Sequence, residues 1–261
     1  MNFKKINKVI RYFKDKEKFL FERKLRQIKN LNSFLEINGS YSVEINGIRF
    51  PIHCRNQSSS DVMVIKQIFD YVEYGILSSL IKLNNIDGSI IDLGANIGLT
   101  SIYFSNLFPE KNIFSVEPDS GNFNFLMKNS ENYSNIIPIN KAISEFPNTK
   151  FEIQTSFRDG LDWSRTVYKS NIGSIQGITI DQLIEFYDIK KICFIKIDVE
   201  GYEKYIFESK NLNFLNLTKL ISVEVHEEIV SKDFIKKILI DYGFIIFETG
   251  ELIVGIKKSL Y

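Results

Sequence analysis

The sequence is poor in several features that would point to other kinds of protein. It has two cysteines, Cys54 and Cys193, far apart in the chain. That excludes both a zinc-type cysteine spacing and a disulfide framework, and reduced core thiols in a cytoplasmic protein are the expectation. Only two histidines and one tryptophan occur, so any imidazole chemistry falls to His53 or His226. No apolar run approaches the roughly 20 residues of a transmembrane helix. The opening stretch MNFKKINKVIRYFKDKEKFLF lacks the apolar core of a secretory signal. A formal net charge of +1 excludes a polyelectrolyte that binds by charge alone, so no nucleic-acid partner is expected. Internal repeats and low-complexity tracts are absent as well. What is present is ordinary globular material, 44% hydrophobic and 25% charged.

The small net charge hides an uneven distribution. Residues 1–30 carry eleven lysines and arginines against three acids. Phe3, Ile6, Val9, Ile10 and Phe13 recur there at helical spacing. Residues 1–40 therefore read as a basic helical extension ahead of a main domain at 41–261. A solvated extension is the plain reading; peripheral contact with the inner face of a membrane, or with a partner, is the alternative.

From residue 41 the pattern changes. YSVEINGIRFPI alternates around Asn46-Gly47, a two-residue hairpin signal. Residues 61–83 read as one helix capped by Asp61. From Ser89 onward, strands SIIDLG, NIFSVEP, IIPINKAIS, KICFIKIDVEG and LISVEVHE alternate with helices near 98–107, 119–131, 179–187, 201–209 and 231–242. Repeated βα units predict a mostly parallel sheet covered on both faces. GFIIFETG and LIVGIKK meet at a tight turn and are expected to pair antiparallel. The stretch 154–176 reads as a long irregular loop, the kind that often serves as a lid.

The strand–turn–helix SIIDLGANIGLTS places two glycines, Gly94 and Gly98, just after a buried strand. A phosphate-binding P-loop needs a lysine after the second glycine, and none follows Gly98. The dinucleotide fingerprint needs a glycine where Asn96 stands. What remains suits a nucleoside with an amino-acid tail and no pyrophosphate. Backbone N–H groups of Gly94, Ala95, Asn96 and Gly98 are available for a carboxylate, and Asp92 for an ammonium. Glu117, closing the next strand in FSVEP, is placed to accept from a ribose diol. S-adenosylmethionine has all three groups.

IIDLGANIGLTS, VEPD, NKAIS, ITIDQL and FIKIDVEGYE occur in that order, and RNQSSSDVMVIKQIFDYVEY precedes them. Together they resemble the FkbM-type S-adenosylmethionine-dependent methyltransferases, over roughly residues 43–228. The resemblance implies a class I methyltransferase fold: a Rossmann-like, seven-stranded, mostly parallel sheet with an antiparallel last strand. It also implies O-methylation of a sugar or another small hydroxylated metabolite. Glu117 would hold the ribose and the Ala142 region the adenine. Asp198 would lie beside the methionine end, with Glu73 and Tyr74 closing over the pocket.

The later strands carry their own signal. Lys196, Asp198 and Glu200 alternate along one strand, as do Ser222, Glu224 and His226 along the next. Charges in such buried strands are costly unless paired or used, and ligands bind at the carboxyl ends. Asp198 and His226 are the expected catalytic residues, His226 as general base for an alcohol acceptor. His53 reads as structural or as a substrate contact. The acids around His226 have the composition of a magnesium or manganese site, but nothing in their spacing requires a metal, and none is expected. Arg158, Trp163 and Arg165 in the 154–176 loop suit an anionic or glycosidic substrate, nucleotide-linked or lipid-linked. A nicotinamide-dependent oxidoreductase and a non-catalytic glycan-binding relative remain as alternatives.

Overall fold

Of the two Asn-Gly pairs in the first part of the chain, 38–39 makes a tight hairpin turn. The turn expected at 46–47 does not form, because one strand ends at Ile45, the next begins at Ile52, and only Gly47 of the pair takes a positive φ. The structure, a computed structural model, describes residues 16, 18–56, 59–154 and 166–260. The chain divides into two compact units, Met1–Glu73 and Tyr74–Tyr261, and the boundary expected near residue 40 therefore lies inside the first of them.

In the first unit, strands β1 (Leu31–Ile37), β2 (Ser40–Ile45) and β3 (Ile52–Cys54) form an antiparallel sheet. Asn38 and Gly39 have φ of 51° and 80°, the left-handed pair that a two-residue hairpin demands. Tyr41, Val43 and Ile45 point inward from β2, and Phe21 packs its ring 4.8 Å from that of Tyr41. The expected helical extension is thus only partly helical. Residues 18–25 are helix, but LNSFLEI is an edge strand with a register shift between Leu31 and Ser33. That bulge blurs the period-2 signal.

The helix expected over 61–83 is interrupted. An α-turn, Asp61–Ile65, runs into a π-turn, Lys66–Asp70. Val72 then takes φ 52°, which ends the helix. Asp70 is occupied elsewhere, accepting from the backbone N–H groups of Lys29 and Asn30 at 2.9 and 3.2 Å. Asp61 is not the cap either. Ser60 stands at that position, and Asp61 takes the guanidinium and backbone N–H of Arg55 at 2.5 and 2.6 Å.

The second unit is built on a seven-stranded sheet. Its strands are β4 (Ser89–Leu93), β5 (Ile113–Val116), β6 (Ile136–Ile139), β11 (Ile192–Ile197), β12 (Thr218–Glu224), β13 (Phe244–Thr249) and β14 (Leu252–Lys257), in the order β13-β14-β12-β11-β4-β5-β6. All pairings from β12 to β6 are parallel, and β14 alone runs against its neighbours. Every residue of β5 and β11 is buried, as expected where helices cover both faces. The helices Leu99–Leu107, Ser120–Ser130, Ile180–Phe186, Glu203–Glu208 and Lys232–Asp241 fall within a residue or two of their expected ranges. This is the class I methyltransferase arrangement. Cys54 and Cys193 are both buried thiols, one in each unit.

A second, four-stranded sheet went unread. β7 (Ala142–Ile143), β8 (Lys150–Gln154), β9 (Thr166–Lys169) and β10 (Ile175–Ile178) pair in the order β7-β10-β8-β9. The loop expected over 154–176 is therefore shorter, because β9 and the start of β10 lie within it.

Gly94 marks where β4 and β11 come closest beyond their ends. A Cβ there would sit 1.7 Å from the Asp198 carbonyl oxygen, at a φ of 77°. Gly250, at φ 59°, has nothing within 4 Å. Gly250→Ala should therefore cost only the left-handed backbone penalty of about 1–2 kcal/mol. Gly94→Ala should cost more than about 4 kcal/mol, because backbone has to move. Thermal melts of the two variants check this, and equal losses would contradict the steric account.

Candidate active site

The sheet order changes direction at β4: the chain builds β5 and β6 on one side, then crosses to β11 and β12 on the other. The crevice outside the carboxyl ends of such strands is where doubly wound sheets bind ligands. The acids singled out from the sequence converge on that edge.

On the β5 side, Glu117 is 5% exposed. Its carboxylate accepts from the backbone N–H groups of Asn96 at 2.8 Å and Asp119 at 2.9 Å, and from Asn122 Nδ2 at 3.3 Å. Burial raises its pKa to about 7, against the lowering effect of those donors. Oε1 accepts two of those donors and Oε2 one, so Oε2 retains a lone pair for a further donor. Asn96 itself adopts φ 50°, a left-handed geometry that asparagine tolerates. Asn140 ties the end of β6 to this turn, donating to the Glu117 carbonyl at 2.9 Å. Ala142 is fully buried in β7 nearby in sequence.

The glycine loop differs from the expectation in one respect. Gly94 and Ala95 both donate to the Val116 carbonyl at 3.0 Å, Asn96 donates to Glu117, and Gly98 donates back to Ala95. These four N–H groups are engaged within the protein, so they do not form a ready carboxylate cradle. Their work is to lock the loop onto β5.

Asp92 is likewise engaged internally. It is 1% exposed, accepts from Ser101 Oγ at 2.6 Å, and lies 3.5 Å from Lys196 Nζ. Lys196 stands opposite Asp92 in the β4–β11 register, contacts Asp198 at 3.0 Å, and donates to the Gly94 carbonyl at 2.9 Å. Burial opposes its charge, but Asp198 and Asp92 outweigh that and hold the ammonium well above its usual pKa. The partners of Lys196 are thus Asp92 and Asp198.

On the β12 side lies the main cluster. Ligand atoms of Asp198, Glu224 and His226 lie within 4.8 Å of one another. His226 is 1% exposed, with Nε2 3.2 Å from Glu200 and Nδ1 3.2 Å from Glu203. Neither contact has hydrogen-bond alignment, so both act as charge–charge contacts. Burial would push the imidazole down, yet Glu200 and Glu203 prevail and raise it to about 11. Glu224 is raised chiefly by the charge of Asp198 and then by burial.

Alternation alone does not build this cluster. β11 ends at Ile197 and β12 at Glu224. Glu200 takes φ 51° and Gly201 φ 94°, a turn that folds the acids back toward β12. Glu203, fully buried and anchored by the Val199 N–H at 2.9 Å, escaped notice; its spacing of three from Glu200, at a helix start, was the available signal. Tyr74 is 2% exposed, packed among Tyr103, Phe104 and Phe194. Arg158, Trp163 and Arg165 lie outside the described residues, as do residues 1–15. His53 sits in β3, in the first unit. A cleft of about 240 Å³ lined by Glu145, Asp181 and Asn211 contains none of the cluster residues, and the chemistry argues for the sheet edge instead.

These features define a doubly wound α/β domain with a cluster of acids at its switch point. The profile described as the methyltransferase FkbM domain matches residues 92–246. The chain belongs to that family. The hexuronic acid methyltransferase AglP of Haloferax volcanii is 27% identical over 166 residues, 63% of this chain and 66% of the relative, so the chain spans just under two thirds of that relative's length. Among solved structures, the METTL16 methyltransferase domain aligns with 92% of this chain and 89% of its own at TM-score 0.47 and 12% identity. The magnesium protoporphyrin IX methyltransferase of Synechocystis PCC 6803, solved with bound SAM, aligns with 75% and 84% at TM-score 0.42 and 13% identity. No helix among the described residues is long and apolar enough to cross a membrane.

Lys196 is the cation that Asp92 and Asp198 share. Lys196→Met should destabilise the fold by roughly 3–5 kcal/mol, since breaking a buried pair leaves uncompensated charge. Adding Asp92→Asn should restore part of that. Urea denaturation of the single and double variants tests the pairing, and additive losses would show that the groups are independent.

Proposed function

We propose that the protein is an S-adenosylmethionine-dependent O-methyltransferase that methylates a hydroxyl of a sugar, glycan precursor or similar small metabolite. One observation carries this reading. A buried acid at the end of β5 and an acid–histidine cluster at the ends of β11 and β12 flank a glycine loop locked onto the sheet. The nucleoside belongs on the β5 side, with Glu117 accepting from the ribose diol and the Ala142 region beside the adenine. The amino-acid tail runs along residues 94–98 toward Asp198, since Asp92 is held by Lys196 and Ser101. Tyr74 stays part of this half of the site. The sulfonium then lies near Asp198.

Methyl transfer from a sulfonium is an in-line displacement, so positioning supplies much of the rate. The acceptor oxygen forms the new O–CH3 bond as the S–CH3 pair returns to sulfur, and the hydroxyl proton leaves to the protein. Asp198 and His226 are the catalytic residues of this proposal. Glu200, more exposed than His226 and in contact with its Nε2, takes the proton, because Glu200 and Glu203 keep the imidazole itself protonated. The hexuronate named for the archaeal relative makes an acidic sugar the first acceptor class to test. Arg158 and Arg165 would face its carboxylate or a linked phosphate, and Trp163 its ring. Residues 1–30 would bring the enzyme to an anionic lipid surface if the acceptor is lipid-linked.

Calorimetric titration with S-adenosylmethionine and with NAD tests the cofactor. Binding of the former alone is expected, and binding of NAD alone would replace the reading with a hydride-transfer one. Incubation with nucleotide-linked hexuronic acids should give a mass gain of one methyl group. Glu117→Ala should weaken cofactor binding by roughly 2 kcal/mol, the loss of two charge-assisted hydrogen bonds.

Glu117 also predicts a pH dependence. The ribose hydroxyls donate to its carboxylate and so favour the charged form, while burial favours the neutral one up to about pH 7. Binding therefore releases a proton, and affinity should fall as pH drops through about 7. Glu117→Gln should bind weakly and without that dependence. A flat wild-type profile from pH 5 to 8 would remove Glu117 from the ribose contact.

A further inference from the structure

Among the described residues, carboxylates are concentrated at the β11–β12 edge. Asp92, Asp198, Glu200, Glu203 and Glu224 gather around one ammonium, Lys196, and one imidazole, His226. Carboxylates this close and this buried are costly without a compensating cation. Such an acidic cluster would carry little by itself, but His226 adds a second and independent observation. Its ring is 1% exposed, and neither nitrogen has a hydrogen bond.

We infer that Asp198, Glu224 and His226 form a binding site for a divalent cation, with Glu200 at its margin. The three supply one ligand atom each within 4.8 Å of one another, a span that a single ion can bridge. Glu203 explains which nitrogen binds. It lies on the Nδ1 side, fully buried, its carboxylate fixed by the Val199 N–H. A carboxylate behind one ring nitrogen, with the other facing the metal, is the arrangement that orients metal-bound histidines. Nε2 is then the ligand. Asp198 gives one oxygen to Lys196 and keeps the other for the cation. Two carboxylates and one imidazole suit Mn2+ best, with water filling the remaining positions.

The cation's role rests on the methyl-transfer reading; its binding does not. An acceptor hydroxyl replacing one metal-bound water would lose its proton more easily. That proton passes to Glu200 or solvent, the oxygen pair attacks the methyl carbon, and the C–S pair returns to sulfur as a neutral thioether. His226 would then serve as ligand, and Glu200 would be the proton's first stop.

Mn2+ binding to the purified full chain, followed by electron paramagnetic resonance with and without S-adenosylmethionine, tests the site. One Mn2+ per chain is expected, with the nitrogen coupling of a single imidazole in the pulsed spectrum. With only two histidines in the chain, His53→Ala should keep that coupling and His226→Ala should abolish it. Glu224→Gln should weaken Mn2+ at least tenfold, and Glu203→Gln by roughly 10–100-fold, the usual effect of removing an outer-shell partner. Absence of Mn2+ binding at millimolar concentration, binding without nitrogen coupling, or coupling that survives in His226→Ala would each overturn the inference. The wild-type spectrum decides this even if a variant fails to fold. Mn2+ binding without S-adenosylmethionine binding would sustain the site and defeat the methyl-transfer reading; the reverse result would do the opposite.

Discussion

The ammonium of Lys196 holds the working edge of this protein together. It comes from the next-to-last residue of a fully buried strand, bridges Asp92 across the β4–β11 register, reaches Asp198 beyond the strand end, and donates to the Gly94 carbonyl. Those four groups belong to the two strands between which the chain reverses its direction of sheet growth. A buried cation of this kind is expensive to desolvate and is retained only where its partners are well placed. Here the partners are the glycine loop after β4 and the acids Asp92 and Asp198.

From that bridge the two halves diverge in character. Toward β5 the polar groups are satisfied: Glu117 takes three donors, and the N–H groups of Gly94, Ala95 and Asn96 are bonded to Val116 and Glu117. That side is preorganised and needs only the hydroxyls of a ligand. Toward β12, several carboxylates gather around an imidazole whose two nitrogens lack aligned hydrogen-bond partners. The left-handed backbone at Glu200 and Gly201 belongs to this second half, where strain is maintained by the surrounding packing.

Much of the catalytic domain was legible because its signals are local. Buried parallel strands read as apolar runs, the helices between them keep their period, and Gly94 and Gly98 sit where the chain must turn. The family resemblance and the later FkbM match rest on the same strings. The illegible parts have identifiable causes. The edge strand Leu31–Ile37 carries a bulge and is mostly exposed, so it shows no alternation. The helix break near Val72 depends on Asp70 being drawn to the backbone of Lys29 and Asn30, residues some forty positions away. The second sheet uses two- to five-residue strands, too short to have a period.

What the sequence by itself determined is the fold class, the sheet's order of elements, and the short list of acids that chemistry would need. These follow from hydrophobic periodicity and from residue types whose burial has to be explained. Only the tertiary structure decided the roles within that list. It assigned Asp92 to Lys196 rather than to a ligand, brought Glu203 behind His226, and turned an apparent alternation of charges into a cluster. Those outcomes depend on distances between strands far apart in the chain and on a left-handed turn at Glu200. No local pattern encodes which of several nearby carboxylates a buried cation will choose.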